Sequence, residues 1–247
     1  MSKLAIITAH AGADSLEEAM LSWSQHGGFP LFPTRPGSDL TVSGSTYIAD
    51  GHKGMLQGYE RGWREAAKDG CDILAFFHDD TILKEEGWVG RVLREFESPD
   101  VGLVGFGGAL VHGSPDLYKT PYHYQQLGRS YYLSNVDDAE VHGARFTGSN
   151  DVAVLDGFSL IVRRDVLDRA GGWPVATLGY LGYDYWASCM VHRLGYRCRV
   201  VGARCHHLGG RTAVALKKNQ DESGEAYHAA HRYIYDEFRD VLPYSCV

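Results

Sequence analysis

A chain of 247 residues, 44% hydrophobic and 22% charged, can bury the core of one large globular domain or two small ones. Lys and Arg number 24 against 31 Asp and Glu, and the resulting net charge of −7 argues against broad, nonspecific adhesion to nucleic acid. No apolar stretch approaches a membrane span, and Leu4 to Ile7 is too short for the apolar core of a secretory signal.

Leu4-Ala5-Ile6-Ile7 reads as a short strand ending in Thr8-Ala9-His10-Ala11-Gly12. Ser15-Leu16-Glu17-Glu18 has the form of a capping box, and Leu16, Met20 and Trp23 follow at helical spacing up to Gly27-Gly28. Phe29 to Phe32, set among Pro30 and Pro33, is expected as a second strand, completing a parallel crossover unit. The Gly-, Ser- and Pro-rich passage from Thr34 to Gly54 is expected as loop, with Tyr47, Asp50, His52 and Lys53 near a ligand.

Met55, Tyr59, Trp63 and Ala66 mark the inner stripe of a second helix closed by Gly70. Ile73 to Phe77 is then an unbroken apolar run, the signature of a strand buried on both faces. It stops at His78-Asp79-Asp80, so two adjacent carboxylates sit at the strand's carboxyl end, the edge where open α/β sheets bind ligands. Neighbouring carboxylates repel unless a cation or donors compensate them. A divalent metal arriving with a phosphorylated substrate meets that need, and a plain polar turn is the alternative. Glu85, Glu86, Trp88, Val92 and Phe96 predict a helix with acidic residues in its first turn, and Val101 to Phe106 a further buried strand.

The strand–helix alternation stops at Gly107. From there to Asn150 the chain has no clear periodicity, and Tyr118, Tyr122, Tyr124, Tyr131 and Tyr132 crowd one part of it. Such aromatics are platforms for sugar rings or bases, or ordinary loop packing; the stretch from Tyr118 to Tyr132 is expected on the acceptor side and mobile until substrates bind. Order returns with a strand from Ala153 to Val162 interrupted at Asp156-Gly157, then a short helix stopped at Gly171-Gly172-Trp173. Gly182-Tyr183-Asp184 opens a helix with Trp186, Met190 and Leu194 inside; the strand Tyr196 to Val201 leads to Cys205-His206-His207, and Glu222 to Phe238 is helical. The five cysteines are odd in number and lack C-x-x-C spacing, as expected of reduced thiols in a cytoplasmic protein.

Three segments in order resemble family 2 glycosyltransferases of the GT-A fold, from Leu4 to about Gly210. Phe76 to Ile82 followed by Gly87-Trp88 is similar to the family's D-x-D strand end, with His78 in place of the first Asp. Asp156 to Arg164, running to Gly171-Gly172-Trp173, resembles the acceptor-side strand and its GG-aromatic turn. Gly182-Tyr183-Asp184 resembles the E-D segment carrying the catalytic base, with Tyr183 in place of the Glu.

The resemblance implies an α/β fold of GT-A type: a doubly wound, mixed, mostly parallel sheet flanked by helices. It implies one domain over 1–247, with a nucleotide-sugar-binding half at 1–106, an acceptor and catalytic half at 107–210 and a helical segment at 211–247. The implied reaction is metal-dependent inverting transfer of a sugar from a nucleotide-diphosphate donor, with UDP favoured, to an acceptor hydroxyl on a glycan, a small molecule or a modified nucleobase. Asp80, His207 and His78 are the candidate ligands for Mn2+ or Mg2+, with His206 less favoured; His78 is equally read as a packed histidine. Asp184 is the candidate base, or a helix cap. Thr8, His10, Asp50, Asp79 and Asp156 are candidate donor contacts, and Arg211, Lys217 and Lys218 a phosphate-facing or merely solvated loop. Two rival readings are a two-metal phosphohydrolase using His10, His78, Asp79, Asp80, His206 and His207, and a catalytically silent sugar-binding module of the same fold.

Overall fold

The structure is a computed structural model that describes residues 3–10, 15–27, 40–43, 46–50, 54–113, 129–137, 143–207 and 225–247. In its first half lie β1 (Leu4–His10), α1 (Leu16–Gly27), β2 (Leu40–Ser43), β3 (Thr46–Asp50), α2 (Met55–Lys68), β4 (Ile73–Phe77), β5 (Thr81–Leu83), α3 (Trp88–Glu95) and β6 (Val101–Gly105). There follow β7 (Gly107–Ala109), β8 (Val111–His112), β9 (Tyr132–Ser134), β10 (Ser149–Val152), β11 (Val154–Leu155) and β12 (Ser159–Arg163). The remainder comprises α4 (Arg164–Ala170), α5 (Tyr183–Arg193), β13 (Arg197–Val201), β14 (Cys205–His207), α6 (Glu225–Glu237) and β15 (Tyr244–Ser245).

Eight strands form the central sheet in the order β10-β13-β6-β12-β4-β1-β3-β2. β1, β3, β4, β6 and β13 run one way and β2, β10 and β12 the other, so the sheet is mixed and mostly parallel. β4 lies between β1 and β12, and all five of its residues are buried. Side chains alternate across a strand, and the two faces of β4 accordingly feed two cores. Leu74 and Phe76 pack with Tyr59 and Trp63 of α2, Trp173 and the inner residues of α5. Ile73, Ala75 and Phe77 pack with Trp23 of α1 and Trp88 of α3.

Two glycines let α2 lie directly on the sheet. A Cβ at Gly58 would sit 2.9 Å from the Ala9 methyl, and one at Gly62 would sit 2.3 Å from Ile7 Cγ2. The sequence at both places trades helix propensity for close approach.

Two local expectations need correction. The Thr34–Gly54 passage holds strands β2 and β3, and β3 is the parallel neighbour of β1. Thr46-Tyr47-Ile48 is β-branched and aromatic, and pairing it covers an otherwise open sheet edge; the Gly and Ser around it hid the signal. The expected strand at Phe29–Phe32 lies outside the described residues. The helix predicted from Glu85 begins instead at Trp88, because Gly87 at φ 73° turns the chain there. Glu85 consequently serves the Arg91 side chain and accepts from the Arg204 N–H at 2.9 Å. Among the described residues between Gly107 and Asn150 the strands are two to four residues long, too short for a period to show.

Candidate active site

The acidic turn after β4 is held from three sides. The His78 N–H and the Thr81 hydroxyl both donate to the Phe158 carbonyl, at 3.1 and 3.0 Å. Trp23 Nε1 donates to the Thr81 carbonyl at 2.7 Å, and the Ser15 hydroxyl to the Asp79 carbonyl at 3.4 Å. Ser15, expected to open a capping box, thus ties α1 to the acidic turn. β5 then pairs antiparallel with β14, placing His207 opposite Thr81.

That pairing assembles His78, Asp80 and His207, whose candidate ligand atoms lie within 4.8 Å of one another. His78 Nδ1 and His207 Nε2 are 3.2 Å apart, and His207 Nε2 is 3.4 Å from Asp80 Oδ1. Ligand atoms about 2.1 Å from one ion, separated by right to tetrahedral angles, stand roughly 3.0–3.4 Å apart. Two of the three separations fall in that range, which makes the group a candidate site for a single divalent cation. Among the described residues it is the one group of three such side chains. Burial by itself would raise the Asp80 carboxyl, but the hydrogen bond and charge of His207, with His78 behind it, hold it below the usual value. Burial, then His207, pushes His78 down to about 4, so at neutral pH its ring is uncharged and able to ligate. His206 points the other way along β14 and contacts the Asp137 carbonyl.

Beside this cluster, His10 Nδ1 lies 3.0 Å from Asp79 Oδ2, and Asp50 stands opposite His10 in the β1–β3 register. Thr8 is fully buried within β1 and its hydroxyl has no hydrogen-bond partner among the described residues. The Tyr59 hydroxyl is likewise buried without a partner. Burial, then the charges of Asp79, Tyr180 and Asp80, push its pKa up.

Asp184 lies in the first turn of α5, behind Gly182. Gly182 holds the N-cap position; the Asp184 Oδ1 accepts from the first-turn Tyr185 N–H at 3.0 Å, and the Gly157 N–H also favours its charged form. Burial first, and the Asp156 charge second, push it up to about 7, where a carboxyl can give or take a proton at neutral pH. Asp156 accepts from the Tyr132 hydroxyl at 2.8 Å. Tyr118, Tyr122, Tyr124, His52, Lys53, Arg211, Lys217 and Lys218 lie outside the described residues.

Three contributors escaped sequence reasoning. Phe158 stacks on His207 with centroids 4.9 Å apart and planes at 22°. The Tyr183 hydroxyl lies 2.6 Å from His78 Nε2. Gly157 leaves the room that this hydroxyl occupies. A usable signal existed for one of them: His78 and Tyr183 are the two positions where the chain leaves the resembled motifs, and they touch.

The mixed, mostly parallel sheet with an acidic, histidine-bearing turn at a strand's carboxyl end has the arrangement of the GT-A glycosyltransferase fold, as its structural match shows. Residues 44–229 match a family model described as "Glycosyltransferase like family", and the chain belongs to that family. The solved structure of GalNAc-T7 with UDP, GalNAc and Mn2+ superposes with a TM-score of 0.59 at 11% identity, covering 97% of this chain and 49% of that one. The chain thus spans about half of GalNAc-T7. A structure of A197 from STIV aligns with a TM-score of 0.47 at 14% identity, over 85% of this chain and 87% of the other. No curated protein matches the chain. No helix among the described residues is long and apolar enough to cross a membrane, and all five cysteines are free thiols.

Proposed function

We propose that the protein is a metal-dependent inverting glycosyltransferase that moves a sugar from a nucleotide-diphosphate donor, with UDP favoured, to an acceptor hydroxyl. The observation that carries this reading is the Asp156–Phe158 segment, on which a three-ligand cluster and a carboxyl of near-neutral pKa both rest. The family and the GT-A fold support it, and the UDP and Mn2+ of GalNAc-T7 support the choice of donor and ion.

Asp80, His207 and His78 would hold the ion, and two imidazoles in the set favour Mn2+ over Mg2+. A divalent ion bound there supplies Lewis-acid stabilisation for a leaving diphosphate. Asp184 takes the acceptor proton as the hydroxyl attacks the anomeric carbon; burial and the neighbouring Asp156 raise its basicity for that task. The paired His10 and Asp79, with Asp50, form the donor-side edge at the ends of β1, β3 and β4. Asp156, which accepts from the Tyr132 hydroxyl and whose charge raises the Asp184 carboxyl, is assigned to the donor side. Thr8 completes the donor side only if its enclosed hydroxyl becomes reachable. A two-metal phosphohydrolase needs a second ligand set, and among the described residues no second cluster accompanies the first.

Calorimetric titration with UDP, with and without Mn2+, tests the reading on the parent and Asp80→Asn. UDP is expected to bind the parent strongly only with Mn2+, and Asp80→Asn to lose that dependence. Equal Mn2+-dependent binding by the two proteins would contradict it.

A further inference from the structure

We infer that Tyr183 is a positioning residue of the candidate metal centre: its hydroxyl holds the His78 ring by Nε2, so that Nδ1 is turned toward His207 as the ligand nitrogen. The inference rests on the metal reading above and adds what holds the His78 ring with Nδ1 toward the other candidate ligands.

Each nitrogen of the His78 ring faces one neighbour, Nδ1 toward His207 at 3.2 Å and Nε2 toward the Tyr183 oxygen at 2.6 Å. A neutral imidazole has one proton and one lone pair, and the partner of one nitrogen decides what the other can do. With the proton on Nε2 and donated to Tyr183, the lone pair on Nδ1 lies among the candidate ligands. The opposite tautomer would point an N–H into them. A carboxylate ligand has no such choice to make. His78 has that choice, and the Tyr183 hydroxyl, able to accept as well as donate, can take the Nε2–H hydrogen bond when Nδ1 binds the ion.

The surroundings keep the hydroxyl in place. Tyr183 is 4% exposed and starts α5 immediately after Gly182, whose φ of 77° sets the direction of the helix. Its ring lies against Tyr59 and Trp173, with centroids 6.2 and 6.3 Å away. Across from it Gly157 is bare: a Cβ there would stand 2.0 Å from the Tyr183 oxygen and 2.5 Å from its ring carbon Cζ. The chain therefore has glycine where any side chain would push the hydroxyl off His78.

The test uses the full chain with Mn2+ alone as probe. Affinity is read by the EPR signal of free Mn2+, nitrogen ligation by electron spin echo modulation, and folding by thermal unfolding without metal. The parent is expected to show two coordinated nitrogens. Tyr183→Phe keeps the packed ring, so metal-free unfolding should stay near that of the parent while Mn2+ affinity falls about 10–100-fold, the usual cost of losing an outer-shell partner. One nitrogen coupling should weaken or vanish. Gly157→Ala keeps every ligand and the hydroxyl itself but displaces the latter, and should give the same signature; it decides the matter if Tyr183→Phe fails to fold. Parent-like affinity with both nitrogens in either folded variant overturns the inference. A parent that binds Mn2+ without any nitrogen overturns the metal reading first, and the role of Tyr183 with it.

Discussion

Phe158 lies flat against His207, with ring centroids 4.9 Å apart, while its backbone carbonyl accepts the His78 N–H at 3.1 Å. One residue thus orients two of the three candidate ligands, one through its ring and one through its backbone. Phe158→Leu removes the flat ring but keeps the carbonyl and most of the apolar volume. Stability should fall by less than about 1.5 kcal/mol, whereas Mn2+ affinity should drop about tenfold. A Mn2+ titration beside thermal unfolding measures both, and unchanged affinity would reduce the stack to core packing.

Asp184 links activity and stability to pH with opposite signs. Its carboxyl is pushed up to about 7 in the folded protein, from the usual 3.8. A base must be deprotonated, so transfer should rise with pH through about 7 and then level off. Stability runs the other way. Between the two values the folded state holds a proton that the unfolded chain has released, so this group's contribution is complete below the unfolded value and lost as pH rises through about 7. Asp184→Asn should cut transfer at least about a hundredfold with donor affinity within a few-fold. It should also make the protein more stable than the parent at pH 8. A matched loss of donor binding would make Asp184 a substrate contact instead.

The glycines of α2 and α3 should respond to alanine with opposite signs. Gly62→Ala puts a methyl 2.3 Å from Ile7 Cγ2 in the buried sheet, and overpacking of this kind costs about 1–3 kcal/mol. Gly90 in α3 meets nothing within 4 Å, so Gly90→Ala should stabilise by about 0.5–1 kcal/mol through helix propensity alone. Urea unfolding of both variants checks the pair; equal signs would mean that α2 does not lie on β1 as closely as described.

What the sequence disclosed depended on how local each signal was. The run Ile73 to Phe77 ending at two carboxylates announced the central strand, and the helical stripes around Tyr59 and Trp23 announced the flanking layers. β3 was hidden because its pairing with β1 is nonlocal and its neighbours are Gly and Ser. The pairing that brings His207 to Asp80 could be foreseen only as a likeness, since it depends on the β5–β14 register. His78 and Tyr183 are 105 positions apart, and neither residue type announces the other. Asp184 was legible as a carboxyl at a helix start, but its proton affinity comes from burial and from Asp156, which only the folded chain brings together.

The most direct test of the account is the anomeric configuration of the first product. The UDP-hexose that most raises the melting temperature in the presence of Mn2+ is incubated with the protein, and the sugar transferred to water or acceptor is followed by proton NMR before mutarotation. An α-linked donor should yield the β-anomer first, with turnover abolished by EDTA, restored by Mn2+ and nearly absent in Asp184→Asn. An α-anomer formed first, or turnover indifferent to EDTA, would contradict the metal-dependent inverting transfer proposed for this site.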